Sequence, residues 1–349
     1  MKYQIGLIGC GSIAGAWIEA VGQHEDCRIA MVCDLDEAAA QGRASETGAK
    51  AATLDQVLES RDIHLVIVGT PTPSHPDLVT RAAAASKHLL CEKPMALTIG
   101  RCRQMIDACR QARVKMAIGH SLRFFPAFRN CLRIIAGGGI GTPVSGCITR
   151  VGAAGVERAA DQKDPAQPHH WRQDVRNSGG PFLEFSIHEL DCARLIFGQI
   201  ASVSCISGGG RIYNGLKSPD ITMSILAFES GAVATMRTGS TVSINTSDFW
   251  IAGTEGSVCW KGWGDPVEHH RHDFDEKKTV PSEPGSAYYH ELCDLLAAIE
   301  HGGEPQNSLD NGLKNVALGL GLSRSIEMKQ TIAFQGGLPR GVADDYQAI

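Results

Sequence analysis

A carboxylate and an imidazole four residues apart are the first candidates for proton-transfer chemistry in this chain. Glu184 and His188 follow the glycine pair Gly179-Gly180. If residues 183–196 form a helix, the two side chains lie on one face, one turn apart. A carboxylate at that distance orients the imidazole ring and raises its pKa, which suits general acid–base catalysis. An ordinary surface Glu–His pair has the same spacing.

The same segment raises the question of a metal site. A carboxylate and a histidine at this spacing can bind Zn²⁺, but a third ligand is required. The HExxH pattern is absent, because the run that begins at His188 ends in Cys192. Two histidine-rich stretches, 169–170 and 269–272, are interpreted as solvated loop residues, since adjacent side chains on an extended segment point to opposite faces. We therefore predict no metal.

Lys93 is a candidate of a different kind, because it follows directly after an apolar run of strand length at 88–91. Ligands of open parallel sheets bind beyond the carboxyl ends of the strands, so Lys93 is predicted to face a ligand cleft. The next residue, Pro94, fixes φ and often marks a tight turn, sometimes with a cis peptide bond. The alternative interpretation is a solvated surface lysine.

The pattern of the first 34 residues predicts that a dinucleotide binds in that cleft. The turn Gly9-Cys10-Gly11-Ser12-Ile13-Ala14 lies between an apolar strand and a helical stretch, and Asp34 ends the next strand. In this dinucleotide fingerprint Gly9 permits a tight turn, Gly11 admits the pyrophosphate, and Ala14 lets the helix pack closely. The helix N-terminus offers N–H donors to the phosphates.

The fingerprint makes Gly9, Gly11, Ser12, Ile13 and Asp34 predicted cofactor contacts. Asp34 is expected to accept hydrogen bonds from the ribose and to repel a 2′-phosphate, which favours NAD. NADP is an alternative if Arg43 or Lys50 reaches a phosphate. A glycine-rich turn without a cofactor is the other reading of the same stretch.

A last group of polar and aromatic residues lies where the pattern of the chain changes. His120 and Arg123 follow the last strand of the βα series, and Trp171-Arg172 precede the glycine pair. These four residues could line a pocket for a polyhydroxy substrate, or they could serve interdomain packing.

The elements that position these residues fall into two groups. Strands and helices alternate up to about residue 120, which predicts a doubly wound parallel sheet. Beyond that point the chain is rich in strands without intervening helices, which predicts an antiparallel or mixed sheet, and two helices follow at 285–301 and 310–329. We therefore expect an α/β protein with a cofactor domain at 1–122 and a substrate-binding and oligomerisation domain at 123–349.

Composition excludes several classes of function. The net charge of −5 gives no basic surface for nucleic acid. No apolar run approaches the length of a membrane span, and the first strand begins too early for a signal peptide. The 12 cysteines include no CxxC pair, which is typical of reduced thiols in a cytoplasmic protein.

Taken in order, these motifs resemble the glucose–fructose oxidoreductase, inositol dehydrogenase and MocA-like oxidoreductases. The resemblance rests on the glycine turn, Asp34, Thr70-Pro71-Thr72-Pro73-Ser74-His75, Glu92-Lys93-Pro94, and Gly179-Gly180 with His188. It implies an N-terminal Rossmann domain, a C-terminal α/β domain with a large, mostly antiparallel sheet, and a homodimer or homotetramer. By position, Lys93 becomes the catalytic lysine, His188 the acid/base, and Thr70, Pro71, His75 and Glu92 cofactor contacts. Glu184 stands where the family commonly has Asp.

The resulting expectation is NAD(P)-dependent hydride transfer at a secondary alcohol of a sugar, cyclitol or related polyol. His188 would remove the hydroxyl proton, Lys93 would stabilise the developing alkoxide, and Glu184 would orient His188 or bind a neighbouring hydroxyl. One alternative is an enzyme that keeps its cofactor and uses transient oxidation to drive elimination. Another is a non-catalytic dinucleotide-binding regulator, although such a protein needs neither Lys93 nor His188.

Overall fold

The computed structural model describes residues 2–153, 175–208, 221–241, 245–273, 277–281 and 285–348. The chain forms two compact units, Met1–Ser121 with Gly285–Leu313, and Leu122–Pro284 with Lys314–Ile349. Residues 285–313, which the sequence analysis assigns to the second domain, therefore belong to the first unit. The reason is packing: Leu292 is buried in the first core, and the Tyr288 ring meets Trp17 edge-on at 5.0 Å.

The first unit contains the parallel sheet that the βα alternation predicts. Its strand order is β3-β2-β1-β4-β5-β6, and each pair is parallel. The elements are β1 (Tyr3–Ile8), α1 (Ser12–Gly22), β2 (Cys27–Cys33), α2 (Glu37–Thr47), β3 (Lys50–Ala51), α3 (Leu54–Glu59), β4 (Ile63–Val68), α4 (His75–Ala84), β5 (His88–Cys91), α5 (Ile99–Ala112) and β6 (Met116–Ile118). Strand order reverses between β1 and β4, which is where ligands of such sheets bind.

The second unit is built on a large mixed sheet. Its order is β14-β13-β12-β11-β7-β10-β9-β8-β15-β16, and among the described strands only β7 and β10 pair in parallel. The strands are β7 (Pro143–Ala153), β8 (Ile200–Gly208), β9 (Ile221–Phe228), β10 (Val233–Thr241), β11 (Thr246–Gly253), β12 (Gly256–Lys261), β13 (Val267–Arg271), β14 (Lys278–Val280), β15 (Ile332–Gln335) and β16 (Leu338–Pro339). The predicted α/β architecture is confirmed.

Five helices complete the described parts of the chain: α6 (Pro126–Ala136), α7 (Val175–Ser178), α8 (Ile187–Phe197), α9 (Ala287–His301) and α10 (Leu309–Met328). The core of the second unit forms where α6, α8 and α10 cover one face of the sheet, with Phe128, Leu190 and Leu318 fully buried. Among the described helices, none combines the length and the apolar character that crossing a membrane would require.

One histidine-rich stretch is not the loop that the sequence analysis predicts. His269 and His270 lie on β13, and their side chains take opposite faces because successive strand residues alternate. His269 is buried, with Nε2 2.8 Å from the carbonyl oxygen of Gly139, whereas His270 is half-exposed. The other stretch, 169–170, lies outside the described residues.

Candidate active site

The glycine turn after β1 has the geometry that its sequence predicts. Gly9 has φ +96°, and a Cβ there would lie 2.7 Å from the carbonyl carbon of Gly69. At Gly11 a Cβ would meet nothing within 4 Å, so open space lies before the N-terminus of α1. Ala14 is fully buried against the sheet. The turn therefore packs closely against Gly69 at Gly9 and leaves open space at Gly11. A backbone that binds a pyrophosphate needs both features.

Asp34, at the end of β2, closes the side of this cradle. Its Oδ2 accepts a hydrogen bond from Cys10 N at 2.6 Å, and its Oδ1 accepts one from Asp36 N at 2.9 Å. These bonds use two of about four acceptor positions on the carboxylate. Arg43 donates to the carbonyl oxygens of Cys10 and Gly11 and pairs with Glu46 at 2.7 Å. Arg43 therefore braces the turn from the protein side, which fits NAD better than NADP.

Lys93 follows β5, at the same edge of the sheet as the glycine turn. Its side chain is half-buried, and the Lys93–Pro94 peptide bond is cis. Glu92 is buried: its Oε1 accepts from Trp17 Nε1 at 2.9 Å and its Oε2 from the Lys93 backbone N at 3.2 Å. The structure thus shows Glu92 bracing the lysine turn, where the family resemblance implies a cofactor contact.

His75 also has a different place from the one that the resemblance implies. Its ring has no exposed surface, and it lies between the carbonyl oxygen of Pro94, 3.0 Å from Nδ1, and that of Thr70, 2.9 Å from Nε2. Burial lowers the pKa of His75 below its usual value, so the neutral ring is favoured. His75 therefore holds the loop after β4 to the lysine turn, behind the surface that a cofactor would touch. Thr70 is half-buried and Pro71 is exposed on that loop.

His120 and Arg123, the predicted substrate contacts, are both buried. His120 has no exposed surface, and its carbonyl oxygen accepts from Asn307 Nδ2 at 3.1 Å. Arg123 binds Asp191 through two hydrogen bonds, of 2.9 and 2.6 Å. Both residues therefore act in the interior of their units, which is the packing alternative rather than the pocket. Trp171 and Arg172 lie outside the described residues.

The segment around His188 is not the continuous helix that the sequence analysis assumes. Gly179 and Gly180 have φ of +76° and +74°, and Pro181–Phe185 then forms a single π-helical turn. Ser186 ends it by donating from its backbone N and its Oγ to the Pro181 carbonyl oxygen, both at 3.0 Å. Helix α8 begins only at Ile187, so Glu184 and His188 are not an i, i+4 pair of one α-helix.

The first turns of α8 are anchored by two buried ion pairs. Glu189 accepts from Arg150 Nη1 at 3.1 Å on each carboxylate oxygen, and Asp191 pairs with Arg123. Asp191 also accepts from Asn315 Nδ2 at 2.6 Å, and Asn315 Oδ1 accepts from Arg194 at 2.5 Å. Burial lowers the pKa of Arg194 to about 10, while the negative charge of Asp191 opposes that shift. These contacts fix the helix that carries His188.

A cavity of about 520 Å³ opens at the ends of β7, β11 and β12. Trp263 lines it, and its ring meets that of His188 edge-on at a centroid distance of 6.2 Å. The guanidinium of Arg150 lies over Trp263 at 4.6 Å and over Phe185 at 4.4 Å. Asp248 and Lys261 add one charge of each sign to the lining. The cavity therefore joins an aromatic wall to charged and polar groups.

Comparison with known protein families identifies the family to which the chain belongs. The description "Oxidoreductase family, NAD-binding Rossmann fold" matches residues 3–120, and "Oxidoreductase family, C-terminal alpha/beta domain" matches residues 135–334. The chain belongs to this oxidoreductase family. Its first unit is accordingly an NAD-binding Rossmann domain, and the resemblance inferred from the motifs is confirmed.

Members of this oxidoreductase family with curated names are similar over most of the chain. Inositol 2-dehydrogenase of Rhizobium meliloti (strain 1021) is 28% identical over 351 residues, which cover 95% of this chain and 99% of that protein. The 2,7-anhydro-N-acetylneuraminate hydratase of Escherichia coli (strain K12) is 30% identical over 256 residues, 72% of this chain and 66% of that protein. A crystal structure of a candidate myo-inositol dehydrogenase from Sinorhizobium meliloti 1021 superposes with a TM-score of 0.80 at 28% identity, covering 95% of this chain and 100% of that one.

The sequence analysis did not single out three residues that lie at the cavity or directly after Asp34. Trp263 and Arg150 line the cavity, and Leu35, directly after Asp34, is fully exposed. The signals for two of them were a tryptophan between two glycines after a strand, and an apolar residue after the acid that ends β2. Arg150 gave no signal, because its partner Glu189 is 39 residues away in sequence.

Proposed function

We propose that this oxidoreductase transfers a hydride between NAD and a secondary alcohol of a sugar, cyclitol or related polyol. The observation that carries the proposal is the meeting of the glycine turn, Asp34 and Lys93 at the carboxyl ends of β1, β2 and β5 in one parallel sheet. That edge is where a dinucleotide binds in such folds. The substrate class is suggested by the names of the curated relatives.

The cofactor would be held by backbone N–H groups and by four residues. The N–H groups at the start of α1 would face the pyrophosphate, and Asp34 would accept hydrogen bonds from the ribose hydroxyls. Leu35 offers a flat apolar contact for the adenine, and Thr70 and Pro71 form the opposite loop. When bound, NAD supplies the nicotinamide ring that accepts or returns the hydride.

Side chains of the protein would carry out the proton transfer that accompanies hydride transfer. In the oxidation direction, His188 takes the hydroxyl proton of the substrate as its C–H bond breaks. As the family resemblance implies, the Lys93 ammonium would donate a hydrogen bond to the substrate oxygen and stabilise the negative charge that develops there. Glu184, close in sequence to His188, binds a neighbouring hydroxyl or orients the ring.

The cavity lined by Trp263 suits a polyhydroxy substrate. Apolar ring faces pack against the C–H groups of a polyol, while Arg150, Asp248 and Lys261 offer donors and acceptors to its hydroxyls. Its volume of about 520 Å³ lies in the ordinary range of small-molecule sites.

The test is NADH absorbance during incubation of the purified protein with NAD⁺ and a panel of inositols, aldoses and sugar acids. Lys93→Ala should lower kcat about a hundredfold or more, because removing one group that stabilises an oxyanion costs about that much. Its Kd for NAD should stay near that of the wild type. Lys2→Ala, which removes an exposed lysine of the same domain, is the matched control. Near-normal turnover by Lys93→Ala would refute the assignment.

A second candidate keeps the cofactor bound and drives an elimination or hydration by transient oxidation. The similarity to a curated hydratase favours it. Mass spectrometry would then detect a product whose formation requires NAD and Lys93, while NADH does not accumulate. Tight NAD binding with no turnover of any substrate would instead indicate a dinucleotide-binding regulator.

We also propose that the protein is a homodimer or homotetramer. The face of the second sheet opposite its helices carries five exposed apolar side chains: Ile206, Met223, Ile225, Val233 and Trp250. Exposed apolar patches of this kind commonly mark interfaces. Light scattering should give at least twice the chain mass, and Met223→Lys should lower the measured mass.

A reducing, cytoplasmic location is proposed from the 12 free and mostly buried cysteines.

A further inference from the structure

Three side chains of different chemistry meet on the second sheet, and none of them is among the residues described above as the active site. Strands β12 and β13 are antiparallel, and Cys259 lies directly opposite Glu268. His270 is two residues beyond Glu268 on the same strand and therefore on the same face. Val258 and Trp260, the neighbours of Cys259, are buried on the other face. The three half-buried side chains thus share the face that bears the exposed apolar residues.

Two of the three distances between their ligating atoms are close to those of a tetrahedral metal site. Glu268 Oε2 lies 3.7 Å from Cys259 Sγ and 3.5 Å from His270 Nε2, and all three atoms lie within 4.8 Å of one another. In a tetrahedron with Zn–S of about 2.3 Å and Zn–O or Zn–N of about 2.0 Å, neighbouring ligand atoms are about 3.3–3.5 Å apart. Two of the three edges are therefore close to the required length.

The chemistry of the donors favours one class of ion. A thiolate, an imidazole and a carboxylate together suit Zn²⁺ and similar borderline cations, whereas Mg²⁺ and Ca²⁺ prefer oxygen ligands alone. Lys277 Nζ donates a hydrogen bond to Glu268 Oε1 at 2.5 Å. The other carboxylate oxygen, Oε2, faces the cysteine and the histidine.

We propose that Cys259, Glu268 and His270 form a binding site for one Zn²⁺-type divalent ion, with water at the fourth position. Binding displaces the Cys259 thiol proton to solvent, because the thiolate is the ligand. The site does not depend on the proposed function, since it uses none of the residues placed in catalysis or cofactor binding. The sequence analysis predicts no metal because Cys259 and His270 become neighbours only through strand pairing.

The experiment uses the full-length protein, stripped with a chelator and titrated with ZnCl₂ by calorimetry. One ion per chain is expected. Cys259→Ser and His270→Ala should each weaken binding at least about a hundredfold, because even outer-shell changes cost about 10- to 100-fold. Cys147→Ser is the matched control, since Cys147 is an exposed cysteine in the same cross-strand row, opposite Trp250. It should bind as the wild type does.

Titration with Co²⁺ gives a second readout. The wild type should show a thiolate-to-cobalt charge-transfer band that Cys259→Ser lacks and Cys147→Ser keeps. If Cys259→Ser does not fold, as judged by circular dichroism, His270→Ala and Glu268→Gln carry the test. Absence of stoichiometric binding, equal weakening by Cys147→Ser, or unchanged affinity in His270→Ala would overturn the proposal.

Discussion

The buried pair formed by Arg123 and Asp191 should dominate the stability of the second unit. Their side chains are only 5% and 1% exposed, and they share hydrogen bonds of 2.9 and 2.6 Å. Two unit charges about 4 Å apart interact with about 4 kcal/mol at an effective dielectric constant of about 20. Removing one partner of such a pair also strands the other charge away from water, so Arg123→Met should lower the free energy of unfolding by about 3–5 kcal/mol.

The surrounding network makes the two partners unequal. Asp191 also accepts a hydrogen bond from Asn315, and its charge acts on the nearby Arg194, which is itself largely buried. Loss of Asp191 therefore leaves two buried cations without this carboxylate, whereas loss of Arg123 leaves a carboxylate that still has Asn315. We expect Asp191→Asn to be more destabilising than Arg123→Met.

Urea unfolding, followed by tryptophan fluorescence, measures these effects. The double variant Arg123→Met/Asp191→Leu should lose clearly less stability than the sum of the single variants, because neither charge remains buried alone. Arg110→Met is the control: its partner Asp310 is 2.9 Å away, but the two side chains are 61% and 60% exposed. That change should cost less than about 1 kcal/mol. An Arg123→Met variant no less stable than Arg110→Met would refute the reasoning.

Three further outcomes follow from single sites. Gly9→Ala should weaken NAD binding about tenfold or more, because φ is +96° and the new Cβ would lie 2.7 Å from backbone of Gly69; an unchanged Kd in calorimetry would contradict this. Trp263→Ala should raise KM for the substrate with little change in the Kd for NAD, while Trp250→Ala, which removes an exposed tryptophan that does not line the cavity, should leave KM unchanged in steady-state assays. Burial lowers the folded-state pKa of His75 and His88 below the usual 6.5, so the unfolded chain binds more protons and the free energy of unfolding falls as pH drops below about 6.5. Urea midpoints at about pH 7.5 and 5 should show this fall, and His88→Asn, which keeps an acceptor for Lys115 N, should reduce it.

The parts of the protein that the sequence predicts are those in which neighbours in space are neighbours in sequence. Gly9, Gly11 and Ala14 lie within six consecutive residues. At each of these positions the turn between β1 and α1 requires a small residue for local steric reasons. The alternation of strands and helices up to residue 120 likewise fixes a parallel sheet, since the connections leave no other pairing. Asp34 follows because the end of β2 lies beside the end of β1 in that sheet.

The interpretation of Glu184 and His188 as an i, i+4 pair depended on an unbroken helix, and the local backbone contradicts it. Two glycines with positive φ and Pro181 start a π-helical turn, which Ser186 closes before α8 begins. Periodicity shows spacing along a helix, but it does not show where a helix starts when side chains compete for its backbone groups.

By itself, the sequence determined the fold class, the cofactor cradle and the family. Only the tertiary structure decided which polar residues are buried: Arg123 meets Asp191 across 68 residues, and residues 285–313 return to pack on the first unit. It also brought Cys259 next to His270, by strand pairing. The physical reason is that burial and long-range pairing depend on which helices and strands pack together. The sequence pattern of apolar residues shows only which faces of those elements must be buried.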